Sequence, residues 1–475
     1  MDHFHDARVI EYRAAMTQVV PSHAPQGTAM LAVVQAHFEA WLEFRRNDGR
    51  PIPKYVERAF WRYLECGDPA AGYTVFGCDE DDYSRSFARC CRGRGFCCFC
   101  LTYRQRERGR HLMESVIGAI PVRQWVECFP PALRYVICYD NRLLRAGFAA
   151  LAQAVFEFQV RQAVELWEVG DDAIHPAGVL VHHRASATLE ANHHFHGIFV
   201  DGVFVEVGGQ VEFRQLPGPT DEQVAGVAFE ACLKFCEALS ELGFWVTTGR
   251  SSGTIEGTLS LPNGAPCRAK FFGQAARDAD GGVAPQDGAY AFHVYVGPSV
   301  RADGGPQLER LVHYILAPPF RDEQVTVNRE GKVQLRLKRP RHDGTTLVTL
   351  TPYEFLDRLA DLVPRPNLNT VRYFGAYAPR TPVRKRVVAV AMTGPSPARG
   401  KDEPDRYHDA AAVTGSLECP LCRRILRFIR TVRPRGRRRR DHRGVPPDIP
   451  TGPNPRVQDR VEQMAFTAVQ GRLWN

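Results

Sequence analysis

Apolar positions along the chain follow two periods, one near 3.6 residues and one near two, and the changes between them mark out its elements. Leu31, Val34, Phe38, Trp41, Leu42 and Phe44 recur at largely helical spacing over residues 28–46, and Asn47-Asp48-Gly49-Arg50-Pro51 ends the pattern. A second helix is expected over 54–64, leading into Cys66-Gly67-Asp68-Pro69. From about Pro121 the texture changes: 122–129 and 134–138 read as strands on either side of Pro130-Pro131. A long amphipathic helix follows over 143–169, then a strand over 178–183 and its antiparallel partner over 193–206. Residues 221–242 form a helix capped by Thr220, followed by glycine-rich connections and a strand over 290–296. Leu308, Leu311, Val312 and Ile315 make one stripe of a short helix that Pro318-Pro319 stops. Strands over 333–338 and 347–351 flank the turn His342-Asp343-Gly344 and precede a helix over 352–362. Beyond Pro379 the composition turns to Pro, Gly, Arg and Ser, which reads as linker and tail interrupted by the knuckle Cys419-Pro420-Leu421-Cys422.

Composition adds scale and compartment. A chain of 475 residues is too long for one core, so two or three domains are expected. Hydrophobic residues at 44% and charged residues at 24% are ordinary for a soluble globular protein. The net charge of +8 permits a nucleic-acid partner without showing one, and the run Arg433 to Arg443 concentrates part of it in the tail. The start, Met1-Asp2-His3-Phe4-His5-Asp6, lacks a secretory design, and no uninterrupted apolar run approaches the roughly 18 residues of a membrane span. The fourteen cysteines are therefore assigned to a reducing cytoplasm, where clustered thiols serve metals more often than disulfides.

Two clusters carry chemistry. In Ala191-Asn192-His193-His194-Phe195-His196, strand geometry sends His194 and His196 to one face, a pair of nitrogen ligands for a divalent ion. The third ligand has candidates in His183, on the expected partner strand, and in His182 and His293, each of which could equally be a buried, hydrogen-bonded histidine. Tyr314 lies beside the apolar stripe of its helix, one turn after Arg310, and a tyrosine there is either a packing residue or a nucleophile facing the metal. The second cluster is cysteine-rich: Cys66, Cys78, Cys90, Cys91, Cys97, Cys98 and Cys100. Cys97 and Cys100 form a Cys-x-x-Cys knuckle suited to tetrahedral zinc, and Cys91 lies on a glycine-rich turn with Arg92 and Arg94. Cys78 with Asp81 would give the other half-site, weaker than a cysteine pair, with Cys91 or Cys90 completing the set; the alternative is a group of reduced, non-ligating thiols.

Several of these motifs, taken in order, resemble the HUH rolling-circle transposases of the insertion-sequence ninety-one family. They are Phe60 through Gly72; Cys91-Arg92-Gly93-Arg94-Gly95-Phe96-Cys97 with Cys100; and His194-Phe195-His196 followed by Val200-Asp201-Gly202-Val203-Phe204. The stretch Leu308 to Pro319, Asp343-Gly344-Thr345-Thr346, and Val371-Arg372-Tyr373 with Gly375 complete them. The resemblance spans about residues 28–380 and implies an α+β protein: an arm over 1–27, a helical and zinc-ribbon module over 28–118, an HUH domain with a central antiparallel sheet flanked by helices over 119–380, and a basic, largely disordered tail over 381–475. It implies Mg²⁺ or Mn²⁺ on His194, His196 and His183; Tyr314 as nucleophile; Zn²⁺ among Cys78, Asp81, Cys91, Cys97 and Cys100; and DNA contacts from Arg310, Arg372, Tyr373, Arg92 and Arg94. The partners it implies are single-stranded DNA at the ends of a mobile element and target DNA, in a bacterial cytoplasm near the nucleoid. Three positions depart from the family pattern: Arg310 stands where a second tyrosine is usual, Asp81 where a cysteine is, and Arg423-Arg424 where Gly-Gly is. Two other readings share these residues, a plasmid replication initiator or relaxase with the same chemistry and a zinc-dependent DNA-binding protein without catalysis.

Overall fold

A computed structural model describes residues 25–432, apart from 131–132, 135–136, 138–139, 261–265, 277–288, 302–305 and 394–418 and the single positions 82, 252, 342 and 420. The arginine run of the tail and most of the expected N-terminal arm lie outside the described residues. The chain is α+β. Its contacts divide it into two units: Met1–Tyr103 with Phe320–Val363 and Lys401–Pro450, and Arg104–Pro319 with Pro364–Gly400 and Thr451–Asn475. The sequence reading ran one catalytic domain unbroken over 119–380, whereas the contacts assign 320–363 to the first unit.

In the first unit Thr28 caps the helix Ala29–Asn47 by accepting from the Leu31 N–H. The apolar face of that helix meets the helix Lys54–Leu64 through the stacked rings of Phe38 and Phe60, with centroids 4.8 Å apart. Phe96, from the cysteine-rich loop, packs on Phe60 and Tyr63. The helix Pro352–Asp361 is tied in where the Trp41 indole N–H donates to Asp357, 2.8 Å. A three-stranded sheet places Tyr73–Gly77 between Ser84–Ala88 and Arg427–Val432. That last strand and a helix at Arg384–Met392 lie in the stretch beyond Pro379 that, apart from the knuckle at Cys419–Cys422, was read as linker and tail. Proline and arginine content masked both elements.

The second unit is built on an eight-stranded sheet in the order Val371–Gly375, Ala177–Ala185, Ala191–Val200, Val122–Cys128, Ala289–Val300, Pro266–Ala275, Thr254–Ser260, Trp245–Ser251. Every neighbouring pair is antiparallel except Pro266–Ala275 with Ala289–Val300, so the sheet is mixed. Helices Asn141–Trp167 and Asp221–Glu241 bury one face, with Phe148, Phe195, Phe199 and Phe292 in the core between. Helices Pro306–Ile315 and Arg384–Met392 cover part of the other face, through Leu308, Val312, Ile315 and Val387 against Val179, Val181 and Ile198. Asn141–Trp167 is apolar and long enough to cross a membrane by composition alone, but 61% of its most apolar stretch is buried within the fold, as a core helix requires.

Two local readings change here. The stretch after the helix Asp221–Glu241, read as glycine-rich connections, contains three strands of the main sheet, Trp245–Ser251, Thr254–Ser260 and Pro266–Ala275. Two of their glycines are there for contact: a Cβ at Gly257 would strike the Trp245 ring, and one at Gly273 the backbone of the helix Asp221–Glu241 at Phe229. Of residues 134–138, read as a strand, the described positions Arg134 and Ile137 are helical, as is the preceding Leu133. The long strand expected over 193–206 breaks at Asp201. The buried Asp201 carboxylate accepts from Arg123 Nε (2.5 Å) and from Gln215 Nε2 (3.0 Å), and Gly202–Val207 leaves for a smaller sheet with Ile174–His175 and Gln210–Gln215. Arg123 thereby anchors the end of the histidine strand.

Candidate metal and nucleophile site

The histidine strand Ala191–Val200 points His194 and His196 to the face that carries the helix Pro306–Ile315, and antiparallel pairing sets His183 opposite His194. The three side chains each bring one ligand atom within 4.8 Å of the others. Their ring centroids are 4.1 Å apart for His183 and His196, 5.0 Å for His194 and His196, and 5.2 Å for His183 and His194. Of the candidates for a third member, His183 joins the group. His182 points to the opposite face, where its Nε2 meets Nδ1 of the buried His193 at 2.7 Å. His293 sits opposite Cys128, two strands from the histidine strand, and is not in the group.

Hydrogen bonds fix which nitrogens face inward. His194 Nδ1–H donates to Asn192 O (2.9 Å), leaving Nε2 with its lone pair. His183 Nε2–H donates to Ile315 O (2.6 Å), leaving Nδ1 as its unprotonated nitrogen and tying the ring to the end of the tyrosine helix. His196 Nδ1 meets the Gln124 side-chain amide at 2.9 Å. Sequence reasoning missed Gln124; its alternation with Val122 and Val126 places it on the histidine face, which was the available signal.

Tyr314 stands over this group, its ring edge-on to His196 with centroids 5.6 Å apart and planes at 81°. It is 49% exposed, unusual for a large aromatic beside buried histidines. Val312 and Ile315 bury the opposite side of the same helix, and Gln105 Nε2 donates to His313 O (2.6 Å), so the helix end is held from two directions. Arg310 lies one turn earlier on the exposed side of the helix. Tyr373 shares the histidine face and lies under the Arg384 guanidinium, 5.6 Å from its ring centroid. Arg372 does not share it: strand alternation turns it to the other face, where its guanidinium packs over Phe148 and Phe374 and burial lowers its pKa.

Burial depresses these histidines. It holds His194 down at about 3, with repulsion from His183 adding to it, and drives His196, His182 and His193 well below the ordinary range. All four are neutral at pH 7, the state in which imidazole binds metal. A group whose folded pKa is depressed binds more protons unfolded, so metal-stripped protein should lose stability as pH falls below about 6.5, by up to about 1.4 kcal/mol per pH unit for each such histidine. The buried Glu127 and the carboxyl of Asp322, both raised by desolvation, act oppositely over this range but are two groups against four. Chemical denaturation across pH 4.5–7 measures the slope; a flat profile would contradict the buried neutral assignment.

The cysteines separate into two groups rather than the single one expected. Cys66, Cys91, Cys97 and Cys100 form one, with Cys66 Sγ 3.8 Å from both Cys97 and Cys100 and Cys91 Sγ 3.4 Å from Cys100. Cys66, passed over as a ligand, closes it; it follows the helix Lys54–Leu64, and its thiol meets that of Cys100 in the first turn of the helix Cys98–Leu112. Hydrogen bonds from Cys66, Cys90, Cys91 and Cys97 pull the Cys100 thiol far below its usual range. Cys91 Sγ also accepts from the Gly93 N–H, 3.2 Å. Arg92, exposed and in a left-handed conformation (φ 51°), and the half-buried Arg94 follow on the same loop. Cys78 and Asp81 belong instead with Cys419 and Cys422.

The four-cysteine group of one unit and the three histidines of the other are each arranged so that they could hold a metal ion. A family described as a transposase zinc-binding domain matches residues 33–127, and one described as a putative transposase matches residues 178–385. In that order the two define the transposases of the insertion-sequence ninety-one family, and the chain belongs to it. No curated protein and no solved structure matched the chain.

Proposed function

We propose that this transposase cuts and rejoins single-stranded DNA through a covalent tyrosyl-phosphate on Tyr314, with His183, His194 and His196 holding a divalent ion. The observation that carries this reading is the half-exposed Tyr314 ring set edge-on against His196. Three imidazoles with converging nitrogens fit a divalent cation, and as nitrogen donors they suit Mn²⁺ better than Mg²⁺. Such an ion, when bound, polarises the scissile phosphate. The Tyr314 oxygen forms a bond to phosphorus as the bond to the 3′ oxygen breaks; the phenol proton passes to solvent and the departing oxygen gains one. The downstream strand is then held on the protein by its 5′ phosphate, and the energy of the broken ester is kept for rejoining. Arg310, one turn from Tyr314 where a second tyrosine is usual, is positioned to meet phosphate, so one nucleophile serves both cleavage and rejoining. Arg92, Arg94 and Tyr373 are further DNA contacts in this reading, and the protein works in the bacterial cytoplasm beside the nucleoid.

The test is a denaturant-stable adduct. Full-length protein with Mn²⁺ and single-stranded DNA from the element's end should capture a 3′-labelled strand and not a 5′-labelled one, and chelation should abolish capture. If neither strand is captured in Mn²⁺ or Mg²⁺, the proposal fails. Gln124 gives a second check. For His196 to offer Nε2, its Nδ1–H must donate to an oxygen, which a half-turn of the Gln124 amide supplies. Gln124→Ala should weaken Mn²⁺ binding by roughly 10–100-fold, while Gln124→Glu, a fixed acceptor, should hold or tighten it; titration calorimetry distinguishes the two.

A further inference from the structure

The second cysteine group joins residues far apart in sequence, Cys78 and Cys422 being 344 positions apart. Cys78 and Asp81 flank the turn after the strand Tyr73–Gly77, while Cys419 and Cys422 precede the strand Arg427–Val432. Neither matched family region, 33–127 or 178–385, contains Cys419 or Cys422. Cys78 Sγ lies 3.4 Å from Cys422 Sγ and 3.6 Å from Asp81 Oδ2, and Cys419 Sγ lies 3.4 Å from the same oxygen. Ligands at about 2.3 Å (sulfur) and 2.0 Å (oxygen) from one tetrahedral zinc stand roughly 3.5–3.8 Å apart. We propose that Cys78, Asp81, Cys419 and Cys422 hold a zinc ion of their own, separate from that of Cys66, Cys91, Cys97 and Cys100, and that it clasps the C-terminal segment to the N-terminal sheet.

The local backbone is shaped for this. The Cys419 N–H donates to Arg424 O (2.7 Å) and the Arg423 N–H to Cys419 O (2.9 Å), closing a tight turn around the thiols. Arg423 takes the left-handed conformation (φ 64°) that this turn needs, at a cost of about 1 kcal/mol for a residue with a Cβ. Apart from the buried Leu426 and the backbone ladder to Tyr73–Gly77, other forces on the segment are weak. Five of the six residues of Arg427–Val432 are exposed, and Leu421, Ile425, Phe428 and Ile429 are each more than half exposed. Ion pairs of Arg424 with Glu80 and of Arg427 with Asp79 link the two turns, but such exposed pairs contribute at most about 1 kcal/mol each. A strand with so little apolar burial needs another fastening, and four ligands converging from both ends of the chain supply it. The Asp81 carboxylate, a harder ligand than thiolate, makes this the more labile of the two zinc sites.

Zinc counting on the full chain tests this. Wild-type protein should carry two zinc ions, and Cys422→Ser should carry one while keeping the ion of the other group, as should Asp81→Ala. Alkylation of Cys419 and Cys422, followed by mass spectrometry, should be slow until a chelator is added. Asp81→Cys should keep both ions and slow release of the more labile one to a chelator by about tenfold or more. The proposal is overturned if Cys422→Ser leaves the zinc count unchanged, or if Asp81→Cys alters neither rate of release. A wild-type protein whose Cys419 and Cys422 alkylate at the unfolded rate before chelation would overturn it as well.

Discussion

Tyr314→Phe is expected to abolish the covalent protein–DNA adduct while leaving DNA affinity within about twofold. The substitution removes one oxygen and keeps the ring that packs edge-on to His196. Because Tyr314 is 49% exposed, the fold should lose no more than about 0.5 kcal/mol. Loss of a catalytic nucleophile, in contrast, costs at least roughly 10³-fold, since no other group takes its place in the bond to phosphorus. The pattern separates this role from that of the histidines: His196→Ala should also end adduct formation, but by loss of Mn²⁺ binding, which Tyr314→Phe should leave intact. Adduct yield with 3′-labelled DNA, binding anisotropy and metal titration on the same three proteins decide it. An adduct that survives Tyr314→Phe would place the nucleophile elsewhere and sink the assignment. Salt adds an independent check, because binding dominated by phosphate contacts weakens steeply as salt rises.

The sequence carried the site further than it carried the fold around it. Alternation along a strand placed His194 and His196 on one side without any knowledge of the sheet. It left His182, His183 and His293 as alternatives because register is a relation between strands: only the pairing of His183 with His194 decides among them. Arg372 and Tyr373 show the same gap. Adjacent in sequence, they were read together, yet a strand sends neighbours to opposite faces and only Tyr373 joins the histidine side. The strands of 245–275 were missed because their glycines read as turns, while close approach of the helix Asp221–Glu241 is what excludes a side chain at Gly273. The cysteines were counted correctly and grouped wrongly: proximity in sequence suggested one site, but strand pairing between Tyr73–Gly77 and Arg427–Val432 carries Cys78 away from Cys91 and towards Cys422. The helix caps, by contrast, were local and legible; Thr220 caps its helix through the reciprocal bonds with Gln223.

Cys66→Ser is expected to unfold the first unit's helical core and leave the second unit folded. Cys66 is fully buried and lies 3.8 Å from both Cys97 and Cys100, so a serine there removes a zinc ligand from a site that water cannot readily complete. A structural zinc contributes on the order of 10 kcal/mol to the folding of the segment around it, comparable to the whole stability of an ordinary domain. The core it supports is small: Phe38 and Trp41 pack on Phe60, and Phe60 and Tyr63 meet Phe96, whose backbone belongs to the cysteine loop itself. When Cys97 and Cys100 are no longer held, Phe96 leaves and the Phe38–Phe60 stack is exposed to water. The second unit has its own core of Phe148, Phe195, Phe199, Phe235 and Phe292 beneath the large sheet. Hydrogen exchange should therefore show protection lost in Ala29–Asn47 and Lys54–Leu64 and kept in Asn141–Trp167 and Asp221–Glu241, with one zinc ion fewer than wild type. Equal protection of all four helices in Cys66→Ser would mean that the thiol cluster is not what holds the first unit together. Cys90→Ser is the matched control: Cys90 lies outside the four-cysteine group, and a serine hydroxyl can replace its hydrogen bond to the Cys100 thiol, so its zinc count and exchange pattern should remain those of the wild type.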